Sequence, residues 1–241
     1  MRVLGVIPAR LGSTRLPRKV LRELCGKPMV AWVYERARTA PELDDLLVAT
    51  DSEEVAETCR RLDIPVAMTS GDHPSGTDRV WEVAQSRPAD VYVNVQGDEP
   101  LITPGHIARL VEPFRWPETQ VSTLAIVAGA EEVISPTVNK VVFGSGGRAL
   151  YFSKYGIPYD RDRRGVTRYK HLGLYAYRKA ALDRFHELAP STLELAEGLE
   201  QLRFLEHDVP ITVMETTEAT VGVDTEEDLR TAAAALARTT A

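Results

Sequence analysis

Positive charge is concentrated in one short segment of the sequence, residues 10–19. The segment contains no acidic residue, and its groups that suit an anion are Arg10, Gly12, Ser13, Thr14, Arg15, Arg18 and Lys19. A short apolar run at residues 3–7 precedes it and predicts a buried strand. A turn after a strand that offers cationic side chains and free backbone N–H groups is suited to binding a polyphosphate. The spacing differs from that of a Walker A loop, and an ordinary solvated basic turn is the alternative interpretation.

A carboxylate that could bind a metal follows the very apolar run at residues 91–95. Residues 96–100 (QGDEP) place Asp98 at the end of a predicted strand. Gly97 lets a ligand approach the backbone closely because it lacks a side chain. Magnesium takes one or two protein carboxylates together with phosphate oxygens, so Asp98 is a candidate magnesium ligand. An aspartate in an ordinary strand-ending turn is the competing interpretation.

Two further polar turns precede predicted helices. Asp224, in the motif at residues 222–225 (GVDT), either caps the last helix or supplies a second carboxylate to the metal. These two roles do not exclude each other. The turn at residues 73–79 (HPSGTDR) offers donors to a nucleotide base or sugar. A capping box without any ligand explains this second turn equally well.

Strand-like and helix-like segments alternate through the first half of the chain. Predicted strands lie at residues 3–7, 46–50, 66–69, 91–96 and 121–127. Predicted helices lie at residues 28–39, 52–62, 76–86 and 104–114. This alternation is typical of βαβ units and predicts an α/β fold with a mainly parallel sheet. Ligands bind at the carboxyl ends of the strands in such sheets, which is where the polar turns fall.

The pattern changes after about residue 128. Predicted strands at 139–143, 149–153 and 171–178 are separated by a glycine-rich turn and a charged loop, which indicates a smaller antiparallel lobe. Predicted helices follow at 179–188 and 192–207, then a strand at 211–216 and a helix at 224–238. We expect one domain over residues 1–241, to which residues of about 129–190 contribute the smaller lobe.

Length and composition are those of an enzyme-sized globular protein. The 241 residues carry a net charge of −6, which argues against a general nucleic-acid-binding protein. Two cysteines outside any CxxC motif indicate a reducing compartment. No apolar run approaches the roughly 18–20 residues of a membrane span. We therefore expect a cytoplasmic protein whose partners are small molecules, with neither nucleic acid nor membrane among them.

In their order and spacing these motifs resemble the 3-deoxy-manno-octulosonate cytidylyltransferase family along nearly the whole chain. One such motif is weak evidence, but the ordered set is highly specific. The motifs lie at residues 7–10 (IPAR), 13–17 (STRLP) with Lys19, 26–29 (GKPM), 48–51 (VATD), 75–79 (SGTDR), 93–100 (VNVQGDEP), 151–153 (YFS), 157–158 (IP), 160–162 (DRD), 171–173 (HLG), 199–203 (LEQLR) and 222–225 (GVDT).

The resemblance implies a fold, a reaction and a cofactor. The family's fold is a nucleotide-diphospho-sugar transferase-like α/β fold. It has a mainly parallel Rossmann-like sheet and a smaller antiparallel lobe for dimerisation and sugar binding. Its members activate 3-deoxy-D-manno-octulosonate (Kdo) with CTP, giving CMP-Kdo and pyrophosphate for lipopolysaccharide biosynthesis. We therefore expect a magnesium-dependent homodimer, with a second Mg²⁺ bound to the triphosphate.

The resemblance also implies roles for individual residues. The catalytic residues are Arg10, Lys19, Asp98 and Asp224, of which the two aspartates bind Mg²⁺. The nucleotide-binding residues are Pro8, Ala9, Arg10, Ser13, Thr14, Arg15, Lys19, Ser75, Arg79, Gln96 and Asp98. The sugar-binding residues are Gln96, Lys154, Arg161, His171, Tyr175, Glu200 and Gln201.

Three departures from the family pattern leave the choice of sugar open. Lys154 stands where an arginine is common near the sugar carboxylate, and a lysine offers a point charge instead of a bidentate fork. Arg18 stands where a glycine is common, and residues 195–198 replace a more usual stretch. A related sugar acid, such as an 8-amino-octulosonate or a sialic-acid-like substrate, is the nearest alternative. A non-catalytic nucleotide-binding module is an alternative of a different class.

Overall fold

The chain forms two compact units in the computed structural model, which describes residues 1–12 and 16–239. The first unit consists of Met1–Ala108 and Thr220–Ala241, and the second consists of Arg109–Ala219. The strands, in chain order, are β1 (Val3–Pro8), β2 (Glu23–Leu24), β3 (Lys27–Pro28), β4 (Asp45–Thr50), β5 (Val66–Met68), β6 (Val91–Asn94), β7 (Val121–Val127), β8 (Lys140–Phe143), β9 (Ala149–Ser153), β10 (Tyr169–Arg178) and β11 (Ile211–Glu215).

Helices connect most of these strands. In chain order they are α1 (Met29–Ala37), α2 (Glu53–Arg61), α3 (Gly76–Ser86), α4 (Pro104–Val111), α5 (Ala130–Ile134), α6 (Lys179–Glu187), α7 (Thr192–Glu197), α8 (Leu202–Glu206) and α9 (Glu226–Thr239). Across the described part of the chain, no helix combines the length and the apolar character that crossing a membrane requires.

The first unit contains a parallel sheet in the order β5–β4–β1–β6. Its strand β1 is buried, with Val3, Leu4, Val6 and Ile7 all at most 2% exposed. A strand covered on both faces is a continuous apolar run, which is why the sequence of β1 does not alternate. The parallel pairing and the intervening helices α1, α2 and α3 confirm the predicted βαβ architecture.

Serine hydroxyls cap the N-termini of two of the helices that follow these strands. The Ser52 hydroxyl accepts from the Val55 N–H at the start of α2. The Ser75 hydroxyl accepts from the Asp78 N–H at the start of α3. Such bonds satisfy backbone N–H groups that have no partner within the helix. The turn at residues 73–79 therefore acts as a helix cap, as one of its two interpretations predicts.

A small hairpin and the last helix surround the segment that carries Lys19. Strands β2 and β3 pair across a turn in which Cys25 and Gly26 have φ angles of 47° and 82°. Two successive positive φ angles are what a two-residue hairpin turn needs to match the twist of its strands. The last helix packs here in a buried cluster made of Leu16, Leu24, Met29, Trp32, Val223, Leu229, Ala232 and Leu236. This shared core holds the segments of residues 19 and 224 together.

The second unit is mainly antiparallel. β7 pairs antiparallel with β10, β10 with β8, and β8 with β9, while β11 runs parallel to β7. The register between β10 and β7 shifts between Leu172 and Tyr175. Its core includes the buried aromatic residues Phe152, Tyr177, Phe185 and Phe204. The smaller antiparallel lobe predicted from the sequence is confirmed.

Two predicted helices differ in the structure. The segment predicted as one helix at 192–207 forms the two short helices α7 and α8, because Gly198 takes a left-handed conformation with φ of 63°. The N–H groups of Gly198 and Leu199 both bond to the Glu194 carbonyl, which ends α7 in a glycine cap. Helix α1 begins at Met29 and not at Pro28, whose backbone pairs in β3.

Candidate active site

The first unit contains a cavity of about 340 Å³ beyond the carboxyl ends of β1 and β6. The residues with predicted roles that line it are Pro8, Arg10, Lys19, Ser75, Arg79, Gln96, Asp98 and Asp224. The residues that line it without an individual predicted role are Gly12, Val20, His73, Gly76 and Gly97. The polar turns that were expected to meet at this edge of the sheet therefore do meet.

The charges in the cavity converge on the side chain of Lys19. Its Nζ lies 2.5 Å from Asp98 Oδ2 and 2.8 Å from Asp224 Oδ1. The lysine side chain is only 12% exposed. Burial lowers the pKa of Lys19, but the charges and hydrogen bonds of the two aspartates outweigh burial and raise this pKa above its usual value. Lys19 is therefore a cation held between two acids.

The backbone before α9 brings Asp224 to this position. The Val223 N–H donates to the Asp98 carbonyl over 2.9 Å. Thr225 caps the helix, because its hydroxyl accepts from the Asp228 N–H at 3.2 Å. The Asp228 carboxylate accepts in return from the Thr225 N–H at 2.8 Å. The Asp224 carboxylate is thus not needed as the cap, and it lines the cavity.

The two acids suit a magnesium ion. Both carboxylates approach the same ammonium nitrogen, so the two acids already share one cation in the structure. Within residues 1–12 and 16–239, no group of three or more His, Cys, Asp or Glu side chains is arranged to hold a metal. Magnesium fits a pair of carboxylates because it takes its other ligands from phosphate oxygens and water. Asp98 and Asp224 remain the predicted ligands.

Close packing explains the glycine in the motif at residues 96–100. A Cβ on Gly97 would lie 2.7 Å from the carbonyl oxygen of Pro8, so any side chain would push the loop away from β1. The preceding residue, Gln96, donates from its amide to the Asn94 side-chain oxygen over 3.4 Å. The missing side chain at Gly97 lets the loop of Asp98 lie against the end of β1.

Arg79 reaches the cavity from α3 but is bonded to the surrounding loop. Its side chain is only 3% exposed. The guanidinium donates to the Thr69 hydroxyl and to the Ser70 carbonyl. It also lies 3.4 Å from Asp51 Oδ1. A ligand that takes these donors must therefore compete with partners that Arg79 already has.

The other predicted nucleotide-binding positions differ in what the structure says of them. Ser13, Thr14 and Arg15 lie outside the described residues. Arg10 is exposed and lines the cavity. Ala9 is buried, and its N–H donates to the carbonyl at position 49 over 2.9 Å, so this N–H is already used within the sheet.

The second unit contains a separate group of predicted sugar-binding residues. His171, Tyr175 and Gln201 are at most 6% exposed. The His171 ring packs against Phe152 and Tyr175, with ring centroids 5.0 and 5.4 Å away. Burial lowers the pKa of His171 to about 3 and raises the pKa of Tyr175 well above its usual value. Both rings are therefore neutral at physiological pH.

The buried polar atoms of this group that have no hydrogen-bond partner among the described residues include His171 Nδ1 and Gln201 Nε2. The Thr123 oxygen lies 2.8 Å from the Leu174 carbonyl and 2.9 Å from His171 Nε2. If the Thr123 hydroxyl donates its single proton to that carbonyl, the ring proton of His171 is on Nε2. His171 Nδ1 is then a bare acceptor, and Gln201 offers a donor.

The remaining predicted sugar-binding residues are more accessible. Lys154 is exposed, and its backbone N–H donates to Glu197 Oε2 over 3.0 Å. Glu200 is half-buried, and its charge contributes to the raised pKa of Tyr175. Arg161 is exposed on the charged loop that precedes β10. The structure thus groups His171 with Tyr175 and leaves Arg161 on the surface.

Known proteins match nearly the whole chain. The sequence profile of a family described as cytidylyltransferase matches residues 4–211. A 3-deoxy-manno-octulosonate cytidylyltransferase from Acidobacterium capsulatum is 58% identical over 231 residues, which are 95% of this chain and 94% of that protein. A protein of the same name from Koribacter versatilis is 54% identical over 231 residues, 95% of this chain and 88% of that one. The chain belongs to the 3-deoxy-manno-octulosonate cytidylyltransferase family.

A solved structure agrees with this membership of the cytidylyltransferase family. It is the structure of CMP:2-keto-3-deoxy-manno-octonic acid synthetase complexed with CTP. The TM-score is 0.96 at 41% identity, and the match covers 99% of this chain and 100% of that chain. The family resemblance and the nucleotide-diphospho-sugar transferase-like α/β fold predicted from the motifs are confirmed.

Sequence reasoning missed one contact in the site of this cytidylyltransferase. The Thr220 hydroxyl donates to Glu99 Oε2 over 2.5 Å, and both residues are buried. The position of Glu99 directly after Asp98 was a signal that it lies near the site. Nothing in the sequence relates Thr220 to Glu99, because neither belongs to a spacing pattern that includes the other.

Proposed function

We propose that the chain transfers a cytidylyl group from CTP to the anomeric hydroxyl of 3-deoxy-D-manno-octulosonate, with release of pyrophosphate, for lipopolysaccharide biosynthesis. The chain is a nucleotidyltransferase by family. The convergence of Lys19, Asp98 and Asp224 on one cavity carries the proposal. A triphosphate and its metal ion need this combination of one cation and two acids. The sugar acid is the one named for relatives that match nearly the whole chain.

On the nucleotide side, the chain positions the triphosphate and neutralises its charge. Nucleotidyl transfer is an in-line displacement in which these two effects supply most of the catalysis. Lys19 and Arg10 offset the charge that grows on the α-phosphate and on the departing pyrophosphate. Asp98 and Asp224 would hold Mg²⁺, which would lower the pKa of the sugar hydroxyl. Because Lys19 is bonded to both acids, it exchanges them for phosphate oxygens when metal and nucleotide bind.

On the sugar side, neutral buried groups bind hydroxyls and an exposed cation binds the carboxylate. His171 Nδ1 accepts from one sugar hydroxyl, and Gln201 Nε2 donates to another sugar oxygen. Both atoms lack a hydrogen-bond partner among the described residues, which supports this assignment. Lys154 supplies the positive charge for the carboxylate, as a point charge that fixes its orientation less strictly than an arginine would.

We also propose that two copies associate through the second unit. This unit exposes large apolar side chains, each more than half accessible: Val127, Ile134, Leu150, Tyr155, Tyr159 and Leu195. Exposed apolar surface of this extent supports a protein contact. Light scattering over a concentration series tests the dimer. Twice the mass of one chain supports it, and the mass of a single chain at all concentrations contradicts it.

The proposed location is the cytoplasm. CTP is made and consumed there, and an enzyme that uses it needs access to that pool. Cys25 and Cys59 are both free, which suits a reducing compartment. Fractionation of cells that express the native protein tests the location, and recovery outside the cytoplasmic fraction contradicts it.

Release of pyrophosphate from CTP tests the reaction and the substrate in one assay. The purified chain is incubated with CTP, Mg²⁺ and one acid at a time: 3-deoxy-D-manno-octulosonate, its 8-amino analogue or a sialic acid. We expect the highest kcat/KM with the first acid and no release in the presence of a metal chelator. If another acid gives a higher kcat/KM, that acid replaces 3-deoxy-D-manno-octulosonate as the proposed substrate. Binding of CTP without release from any acid contradicts an enzymatic role.

A further inference from the structure

A buried hydrogen bond links the loop of Asp98 to the segment of Asp224. Thr220 Oγ1 donates to Glu99 Oε2 over 2.5 Å, although 121 positions separate the two residues in the sequence. Thr220 is 5% exposed and Glu99 is 8% exposed. Glu99 follows Asp98 directly, and Thr220 precedes Asp224 by four positions in the sequence. The bond therefore joins the two backbones from which the acids project.

The other oxygen of the same carboxylate faces the same segment. A Cβ on Gly222 would stand 3.2 Å from Glu99 Oε1, closer than ordinary van der Waals contact. The next residue, Val223, donates its N–H to the Asp98 carbonyl over 2.9 Å. Glu99 Oε2 thus bonds to Thr220, and Glu99 Oε1 leaves little room for a side chain at Gly222.

These contacts do not depend on Lys19. In the structure the ammonium of Lys19 pairs with both Asp98 and Asp224 and offsets part of the repulsion between their carboxylates. When Lys19 turns to the phosphates of CTP, the two acids repel each other unless a metal replaces it and their backbones stay in place. The buried bond between Glu99 and Thr220 supplies that second condition.

We propose that Glu99, through Thr220, is a positioning residue that sets the separation of the Asp98 and Asp224 carboxylates so that they bind one Mg²⁺ together. This inference rests on the proposed function, because it requires the two acids to be metal ligands. Groups that orient metal ligands in this way commonly change metal affinity by about 10–100-fold when they are removed.

Binding of Mn²⁺, as a paramagnetic substitute for Mg²⁺, tests the inference separately from turnover. The full chain is titrated with Mn²⁺ in the presence of a non-hydrolysable CTP analogue. Free Mn²⁺ is measured by electron paramagnetic resonance at each step. Thr220→Val removes the hydroxyl at nearly constant volume, and we expect it to weaken Mn²⁺ binding about tenfold. Thr220→Ser keeps a hydroxyl and should retain the affinity.

A matched control comes from Thr58 on α2. Its hydroxyl donates to the Glu54 carbonyl over 2.9 Å, and the residue is 8% exposed, so Thr58→Val removes a comparable buried bond far along the chain from both acids. We expect Thr58→Val to lower the temperature of unfolding without changing Mn²⁺ affinity. A purely structural role for Thr220 predicts the same result for both valine variants.

The outcomes separate this inference from the proposed function. If Asp98→Asn and Asp224→Asn lose Mn²⁺ but a folded Thr220→Val binds it as wild type does, the positioning role is overturned and the metal role stands. If both asparagine variants also bind it as wild type does, the metal role fails and the positioning role fails with it. Should Thr220→Val not fold, Thr220→Ala, which also removes the donor hydroxyl, replaces it. Wild-type affinity in that variant overturns the inference equally.

Discussion

The two groups of predicted ligand-binding residues differ in how their polar atoms are satisfied. In the first unit the charged groups are bonded to one another, Lys19 to two aspartates and Arg79 to the loop at residues 69–70. In the second unit His171 and Gln201 are neutral and buried, and each keeps one polar atom without a partner within the described part of the chain. The first group contains its own counter-ions, whereas the second has hydrogen-bonding positions that are open.

This difference indicates two modes of binding. In the proposed function, a triphosphate and its metal would replace internal partners of Lys19, so binding there would be an exchange of charges. In the same proposal, a sugar hydroxyl at His171 would add a hydrogen bond that Nδ1 lacks in the structure, without displacing a partner of that atom. Substitutions in the first unit should therefore reduce turnover, and substitutions at His171 should mainly affect the KM for the sugar acid.

The largest effect should come from replacing Asp98, one of the two acids that pair with Lys19. Asp98→Asn should lower kcat by about 1000-fold, because the loss of a metal ligand removes several kcal/mol of transition-state stabilisation. Steady-state kinetics at saturating Mg²⁺ measures it. Asp63→Asn is the control, since Asp63 is exposed with φ of 53°, a conformation that asparagine tolerates. Near-normal turnover in Asp98→Asn would remove the acid from the mechanism.

Replacing the cation between the acids should have the next largest effect. Lys19→Ala should lower kcat with CTP by about 100-fold, because a group that neutralises the transferring phosphate is lost. Lys27→Ala is a matched control, since its Nζ pairs with Glu35 at a side chain that is 44% exposed. An unchanged rate for Lys19→Ala would show that the cationic segment acts in binding alone or not at all.

The sugar side should show a change in KM without a matching loss of turnover. His171→Phe keeps an aromatic ring and removes the Nδ1 acceptor. We expect the KM for the sugar acid to rise about tenfold, the equivalent of one hydrogen bond of about 1.4 kcal/mol. The KM for CTP serves as the internal control. An equal rise in both KM values would contradict the distinction between the two groups.

Burial of the neutral His171 ring should make stability depend on pH. Its pKa falls from the ordinary 6.5 in the unfolded chain to about 3 in the folded one. As the pH falls, the unfolded chain therefore takes up a proton on His171 at a higher pH than the folded chain does. The stabilisation that is present above pH 6.5 is lost between pH 6.5 and about pH 3. Below about pH 6 the free energy of unfolding should decrease by about 1.4 kcal/mol per pH unit from this residue.

Urea unfolding at pH 6 and pH 5 measures this slope. His171→Phe has no group to titrate, so its slope should be shallower than that of the wild type. His186→Phe, at an exposed position on α6, should keep the wild-type slope. Equal slopes for wild type and His171→Phe would mean that the ring is not buried in neutral form.

The smallest effect should come from Arg18, a charged residue outside the group formed by Lys19, Asp98 and Asp224. Arg18 has φ of 56°, a left-handed conformation that glycine adopts without strain. Arg18→Gly should raise the free energy of unfolding by about 0.5–1 kcal/mol, because relief of the left-handed strain exceeds the extra chain entropy. Its exposed ion pair with Glu54 contributes little. A loss of kcat in this variant would place Arg18 in the binding of CTP.

Much of the fold was predictable because local patterns and tertiary packing agree. Apolar runs and helix caps at Ser52 and Ser75 mark elements that occur where predicted. The exception is the segment at residues 192–207, where helix-forming side chains surround Gly198. Whether a glycine interrupts a helix or only weakens it depends on a backbone conformation that its neighbours in space decide.

The candidate site was predictable in its residue types and less so in its connections. Asp224 and Thr225 are both suitable helix caps, and the sequence does not distinguish them. In the structure Thr225 forms the cap with Asp228, and the Asp224 carboxylate lies by Lys19. His171 was predicted from family resemblance alone, since its pairing with Thr123 depends on two strands in register.

The sequence by itself determined which chemistry this protein has: a cationic segment after β1, a carboxylate after β6 and another before the last helix. Order and spacing along one chain are sufficient for that, because each motif is local. Only the tertiary structure decided that Lys19 lies between the two acids and that Glu99 bonds to Thr220. Contacts between distant segments depend on how the whole core packs, and no local pattern records that.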